Sequence, residues 1–244
     1  MKRKQSFKVL TGSHNYNLNT PESDLDYKVF YYPTFEDLYS GDKSSKASTS
    51  VEEDISFHDV RKLPDMLWKS NVNFIEVLFS QQADFTDSLY IELFDKREGI
   101  ARMNLPYLYD ACIGMFYQKY KDFQRDTKRL EQDQSNEELI KKVNKHAMSG
   151  FRILDFLYRY QHSDFNSFQD AIYYHEQDDY RNILFNFRNG EIHAPENRLL
   201  QKKSIIEGFK NRYKDNEPDM GMKQYIDETV KKYVREQIKY ELGD

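Results

Sequence analysis

Asp24 and Asp26 stand two residues apart at the head of the stretch Asp24-Leu-Asp-Tyr-Lys-Val-Phe-Tyr31. In that stretch Leu25, Tyr27, Val29 and Tyr31 hold one parity, and Asp24, Asp26, Lys28 and Phe30 the other. The alternation predicts a strand, on which residues two apart project from the same face. Carboxylates that close repel unless a cation lies between them. Hard divalent cations such as Mg²⁺ or Mn²⁺ take oxygen ligands and keep positions for water or phosphate oxygens, so the pair suits a metal-bound nucleotide. An Asp-x-Asp on an exposed strand also occurs as a merely solvated pair. Gly12-Ser13 favours chemistry over solvation. It ends a short predicted strand over residues 7–10, and the N–H groups of such a turn, with the Ser hydroxyl, suit a phosphate tail. Strand, Gly-Ser, spacer and then Ser23-Asp24-Leu-Asp26 on a neighbouring strand place phosphate donors beside metal ligands.

Residues 12–27, Gly-Ser-His-Asn-Tyr-Asn-Leu-Asn-Thr-Pro-Glu-Ser-Asp-Leu-Asp-Tyr, resemble the active-site signature of DNA polymerase beta-like nucleotidyltransferases. More narrowly, they resemble the predicted nucleotidyltransferases associated with RNA ligases in bacteria and phages, with the pattern Gly-Ser-x-x-Tyr-Gly-Leu-x-Thr-Pro-x-Ser-Asp-x-Asp. Asn71-Val-Asn-Phe-Ile-Glu-Val-Leu-Phe79 is similar to that family's Asn-Pro-Asn-x-x-Glu-Leu-Leu-Phe element, with Val72 in place of proline. Lys145-His-Ala-Met-Ser-Gly-Phe-Arg152 resembles its Lys-His-Ala helix, and Asn189-Gly-Glu-Ile-His-Ala-Pro195 its Gly-Glu-Ile-x-x-Pro turn. Two departures stand out: Asn17 where the family usually has Gly, and Lys28-Val29 where Gly-Val is common. Asn tolerates left-handed backbone better than most residues, and neither change touches a carboxylate.

The resemblance implies an α+β fold, with an N-terminal mixed sheet of the polymerase beta type (residues 1–100) and a mostly helical half (residues 101–244) closing one side of the cleft. It implies Mg²⁺- or Mn²⁺-dependent transfer of an NMP from an NTP, ATP among them, to an acceptor hydroxyl by in-line attack at the α-phosphate. Asp24 and Asp26 would hold the metal, and Gly12, Ser13 and Ser23 would shape the nucleotide site. A third acid from an adjacent strand would complete the metal site and draw the acceptor's proton. Asp54 is the first choice, because it opens a predicted strand over residues 54–58 and shares parity with Ser56 and His58. Asp59 is the rival, although it suits equally a helix N-cap before Val60-Arg-Lys. Lys145 and Arg152, seven apart on one helix face, are candidate cations for the leaving phosphates, or they pair with an acid such as Asp155. The acceptor expected from the association with RNA ligases is an RNA end, tRNA first. A protein hydroxyl is the alternative acceptor, and a catalytically silent nucleotide- or RNA-binding phage factor the alternative class.

Other residues carry blander readings. His14 is a polar loop residue, and Glu76 a half-buried structural acid bonded to a loop or an Arg. Glu52 and Glu53 are loop charges. Arg188 and His193 imitate an Arg-x4-6-His ribonuclease motif, but Gly190 interrupts the helix such an enzyme needs. Cys112 is a buried, inert thiol. The run 116–129, aromatic and basic, is either an RNA-facing helix or a solvated amphipathic one.

These residues must be positioned by elements that the rest of the chain supplies. Residues 40–54 are polar and Ser-rich and predict a loop. Residues 60–78 have helical spacing broken at 70–73, with Pro64 near a helix start. Segments 105–130, 136–160 and 222–242 predict long helices. Residues 214–221 read as a linker, and the last helix either packs on the body or binds a protein partner. The 244 residues, 39% hydrophobic and 32% charged, include 19 Tyr and 17 Phe, enough aromatic surface to build a core. A net charge of -5 argues against a broadly basic nucleic-acid binder, so any such contact is a local patch. A single cysteine excludes an internal disulfide, and no apolar run reaches the roughly 18 residues of a membrane span. A cytoplasmic setting, in a bacterium or a phage-infected host, is the expectation.

Overall fold

The computed structural model describes residues 3–43, 45–50 and 53–243. It divides into two compact units, one made of residues up to Asn104 and from Pro218 on, the other of Leu105–Glu217.

The first unit runs β1 (Gln5–Thr11), α1 (Gly12–Asn15), β2 (Leu25–Tyr31), α2 (Phe35–Ser40), β3 (Ser45–Thr49) and β4 (Glu53–Asp59). It continues through α3 (Leu63–Trp68), α4 (Val72–Ile75), a 3₁₀ turn (Glu76–Phe79), β5 (Ala83–Phe85), α5 (Leu89–Asp95) and α6 (Arg97–Arg102). The five strands form one mixed sheet in the order β3-β4-β2-β1-β5. β1 is antiparallel to both β2 and β5, β3 is antiparallel to β4, and β2 and β4 run parallel. The alternation in β2 works as the sequence predicts: Phe30 shares a face with Asp26 and is fully buried against Phe7, with ring centroids 4.6 Å apart. Full burial of a Phe side chain is worth about 1.5–3 kcal/mol, and a one-residue slip would expel Phe30 and turn Asp26 to the opposite face. The apolar half of the strand thereby fixes where the carboxylate points.

The helical unit holds α7 (Leu105–Leu130), α8 (Glu137–His162), α9 (Phe168–Ile172), α10 (Asp179–Asn189), α11 (Pro195–Gly208) and α12 (Lys210–Lys214). Phe116 of α7 and Phe151 and Leu154 of α8 are among its buried residues. The fully buried Asp155 accepts from Lys202 at 2.8 Å and from the Tyr174 hydroxyl at 3.1 Å. Lys202, a good charge partner in so dry a place, thus takes the acid weighed above for Lys145 or Arg152. No helix among the described residues is long and apolar enough to cross a membrane.

Three boundaries differ from the sequence reading. Part of the polar stretch 40–54 is strand: β3 lies at the sheet edge with every residue exposed, so it has no apolar alternation to betray it. Glu53 begins β4 rather than ending a loop, and Glu52 lies outside the described residues. The last helix, α13 (Met220–Leu242), belongs to the first unit and not to the helical one, packing on α3, α5 and α6. Glu92 of α5 accepts from Lys232 at 2.9 Å and from the Tyr233 hydroxyl at 2.7 Å. The break within the predicted linker, before Pro218, is where the chain leaves the helical unit.

Candidate active site

The sheet register sets Asp26 beside two polar neighbours, Thr11 on antiparallel β1 and Asp54 on parallel β4. Asp24 precedes β2 and is exposed, whereas Asp26 and Asp54 are half-buried. Burial chiefly holds the Asp26 carboxyl above its ordinary range; the charge of Asp24 adds to this, Lys28 opposes it, and Asp54 and Glu76 contribute further. A pocket of about 170 Å³ opens here, with Thr11, Asp26, Lys28, Asp54 and Ser56 in its wall. Asp59, the rival third acid, is fully buried and engaged elsewhere. It accepts from the Arg61 amide at 2.8 Å and pairs with the Arg61 guanidinium at 2.6 Å.

Gly12 lies directly against Asp26. Its φ is +71°, and a Cβ built there would run into Asp26 Oδ2. Glycine alone meets both demands. The Gly12 amide donates to Glu76 Oε2 at 3.2 Å, and Asn15 Nδ2 reaches the same oxygen at 3.4 Å. The Asn15 side-chain Oδ1 in turn accepts from the Gln81 backbone amide at 3.0 Å. Glu76 is fully buried rather than half-buried, and its cation is a lysine: Oε1 lies 3.9 Å from Lys28 Nζ. Lys28 also donates to Thr11 Oγ1 at 3.2 Å. The Gly12 amide is thus engaged by Glu76, and Ser13 follows it half-buried in α1.

Ser23 shapes the loop that leads into Asp24. Its hydroxyl accepts from the Thr20 amide at 2.9 Å, and its carbonyl oxygen lies 3.3 Å from His14 Nε2, so His14 is a loop tie. Asn17 has φ 58°, the left-handed conformation for which the family's usual glycine is suited. Lys145 and Arg152 lie on α8 in the other unit, Lys145 exposed and Arg152 acting electrostatically on Cys112 and Tyr174. Burial pushes the Cys112 thiol up to about 12, which makes it inert at neutral pH. Gly190, at φ 76°, ends α10 ahead of His193, so Arg188 and His193 share no helix. In the run 116–129, Phe116 and Phe123 are buried, and Arg125 and Arg129 pair with Asp126.

Sequence reasoning missed the Lys28–Glu76 pair. Its one visible signal was parity, since Lys28 shares the face of Asp24 and Asp26. The donor set fits a hard divalent cation in chemistry, three carboxylates, and in one further respect: Asp54 Oδ1 is buried and accepts no hydrogen bond among the described residues. No three metal-type side chains are already gathered at ligand distance among the described residues.

No curated protein matches the chain. A model of the RNA repair pathway DNA polymerase beta family matches residues 3–154, more than half of the length, from the start of β1 into α8. That stretch contains the Gly12 turn, the aspartates of β2 and β4, and Glu76 beneath them, in the sheet that the signature implied. The chain belongs to this RNA repair family of polymerase beta-like nucleotidyltransferases.

Proposed function

We infer that the protein transfers an NMP from an NTP to an acceptor hydroxyl at an RNA end, tRNA being the first candidate. The observation that carries this reading is the side-by-side register of Asp26 and Asp54 on parallel strands, with Gly12 packed against Asp26. Asp24, Asp26 and Asp54 are the residues that would hold Mg²⁺ or Mn²⁺, which when bound neutralises phosphate charge and acidifies the acceptor hydroxyl. Asp54, whose buried Oδ1 accepts no hydrogen bond among the described residues, would take the hydroxyl proton. The acceptor oxygen then bonds to the α-phosphorus as the bond to the β-phosphate oxygen breaks, and pyrophosphate leaves. Ser13 and the turn fixed by Glu76 orient the triphosphate.

The test is incubation with each α-³²P-labelled NTP, Mg²⁺ or Mn²⁺, and total cellular RNA plus protein extract, resolved on a denaturing gel beside Asp24→Asn. Label on RNA that disappears in Asp24→Asn is the expected result. Label on protein instead moves the acceptor to a protein hydroxyl, and bound NTP with no label on anything reduces the chain to a nucleotide-binding module.

A further inference from the structure

Lys28 is a part-buried cation of the sheet. It lies two residues along β2 from Asp26, on the same face, with only 16% of its side chain exposed. The ammonium is held from two sides, by Thr11 Oγ1 at 3.2 Å and by the buried Glu76 carboxylate at 3.9 Å. Thr11 is itself the register partner of Asp26, and its hydroxyl donates to the Asp26 carbonyl oxygen at 3.3 Å. The Phe74 ring centroid is 5.9 Å from Lys28 Nζ. An ammonium has three N–H donors, and these partners leave capacity for another acceptor. Lys28 also shares the wall of the pocket with Asp26 and Asp54. A counter-ion for Glu76 alone would not need to line that pocket.

We propose that Lys28 Nζ binds a phosphate oxygen of the NTP, making it a substrate-contacting cation of the catalytic sheet itself. Glu76 is then a positioning residue: it holds Lys28 with one oxygen and the Gly12 amide with the other, so turn and cation are set as one piece. The proposal rests on the nucleotidyltransferase reading, but its test separates the two.

Removing one member of a buried ion pair strands the other, so single variants confound folding with binding. The informative variant is Lys28→Met/Glu76→Gln, which removes both charges, keeps the lysine's bulk and preserves an acceptor for the Gly12 amide. Thermal melting is measured first, followed by calorimetric titration with Mg²⁺ and inorganic tripolyphosphate, a probe indifferent to the base. The expected result is a melting point near that of the parent with affinity weakened roughly tenfold or more, the loss of one charge-assisted hydrogen bond. Lys28→Arg, which retains a cation, should recover most of the affinity. Equal affinity in the parent and the double variant would overturn the proposal and leave Lys28 a counter-ion only, with the nucleotidyltransferase reading untouched. A parent that binds neither tripolyphosphate nor any NTP would overturn both. Should the double variant melt early, the Lys28 ¹⁵Nζ resonance of the parent decides: it moves on tripolyphosphate addition if the contact exists, and an unmoved resonance in a protein that binds the probe refutes it.

Discussion

Burial and the charges of Asp24, Asp54 and Glu76 all hold the Asp26 carboxyl above its ordinary range, against the opposing charge of Lys28. A carboxyl raised on folding is a better acid in the unfolded chain. Its contribution to stability is therefore intact in acid, below the unfolded value, and is lost as pH rises through the raised folded value. Asp26→Asn should accordingly raise the melting temperature of the metal-free protein at neutral pH, by about 2–4 °C for each kcal/mol of repulsion removed. The difference should close as pH falls below the ordinary Asp range, and Mg²⁺ should stabilise the parent but not the variant. Scanning calorimetry at several pH values with and without Mg²⁺ checks all three. Gly12→Ala makes the complementary test. The left-handed backbone alone costs a non-glycine residue about 1–2 kcal/mol, and the new methyl displaces the Asp26 carboxylate. Urea denaturation should show that loss, and Mn²⁺ titration followed by electron paramagnetic resonance should show weakened metal binding.

Elements differ in how far the sequence announces them. The long helices were legible because their apolar residues recur at 3.6-residue spacing, and β2 because its parity is nearly clean. β3 was not legible, being an edge strand paired only to β4 and exposed throughout. The Asp26–Asp54 neighbourhood was anticipated from strand parity and the family resemblance, whereas the Lys28–Glu76 pair joins residues distant in sequence and becomes visible only when the sheet and the 3₁₀ turn are assembled. Two elements carry predictions of their own. The loop after α1 needs a left-handed residue at Asn17, so Asn17→Ala should cost about 1 kcal/mol in urea denaturation and Asn17→Gly nothing. On β4, burial chiefly lowers the His58 imidazole to about 4, helped by the charges of Lys28 and Lys62. A histidine depressed on folding contributes stability above its unfolded value, about 6.5, and loses it as pH falls toward the folded value. The urea midpoint of the parent should fall over that window, and His58→Phe should flatten the fall.

At the scale of the whole molecule, the first unit is discontinuous in sequence, with the helical unit inserted between α6 and α13. Ile226 and Val230 of α13 are buried, and Tyr233 and Lys232 grip Glu92. Ending the chain before residue 220 should destabilise the five-stranded sheet although α13 lies beyond the region matched by the family. Hydrogen exchange should then show lost protection in α3 and α5 while α7 and α8 keep theirs. The same arrangement bears on synthesis. A nascent chain emerging from the ribosome can complete the helical unit while the first unit still lacks α13. That unit is therefore finished only after α13 has emerged, and fragments that stop before α13 leave it without the helix that packs on α3, α5 and α6.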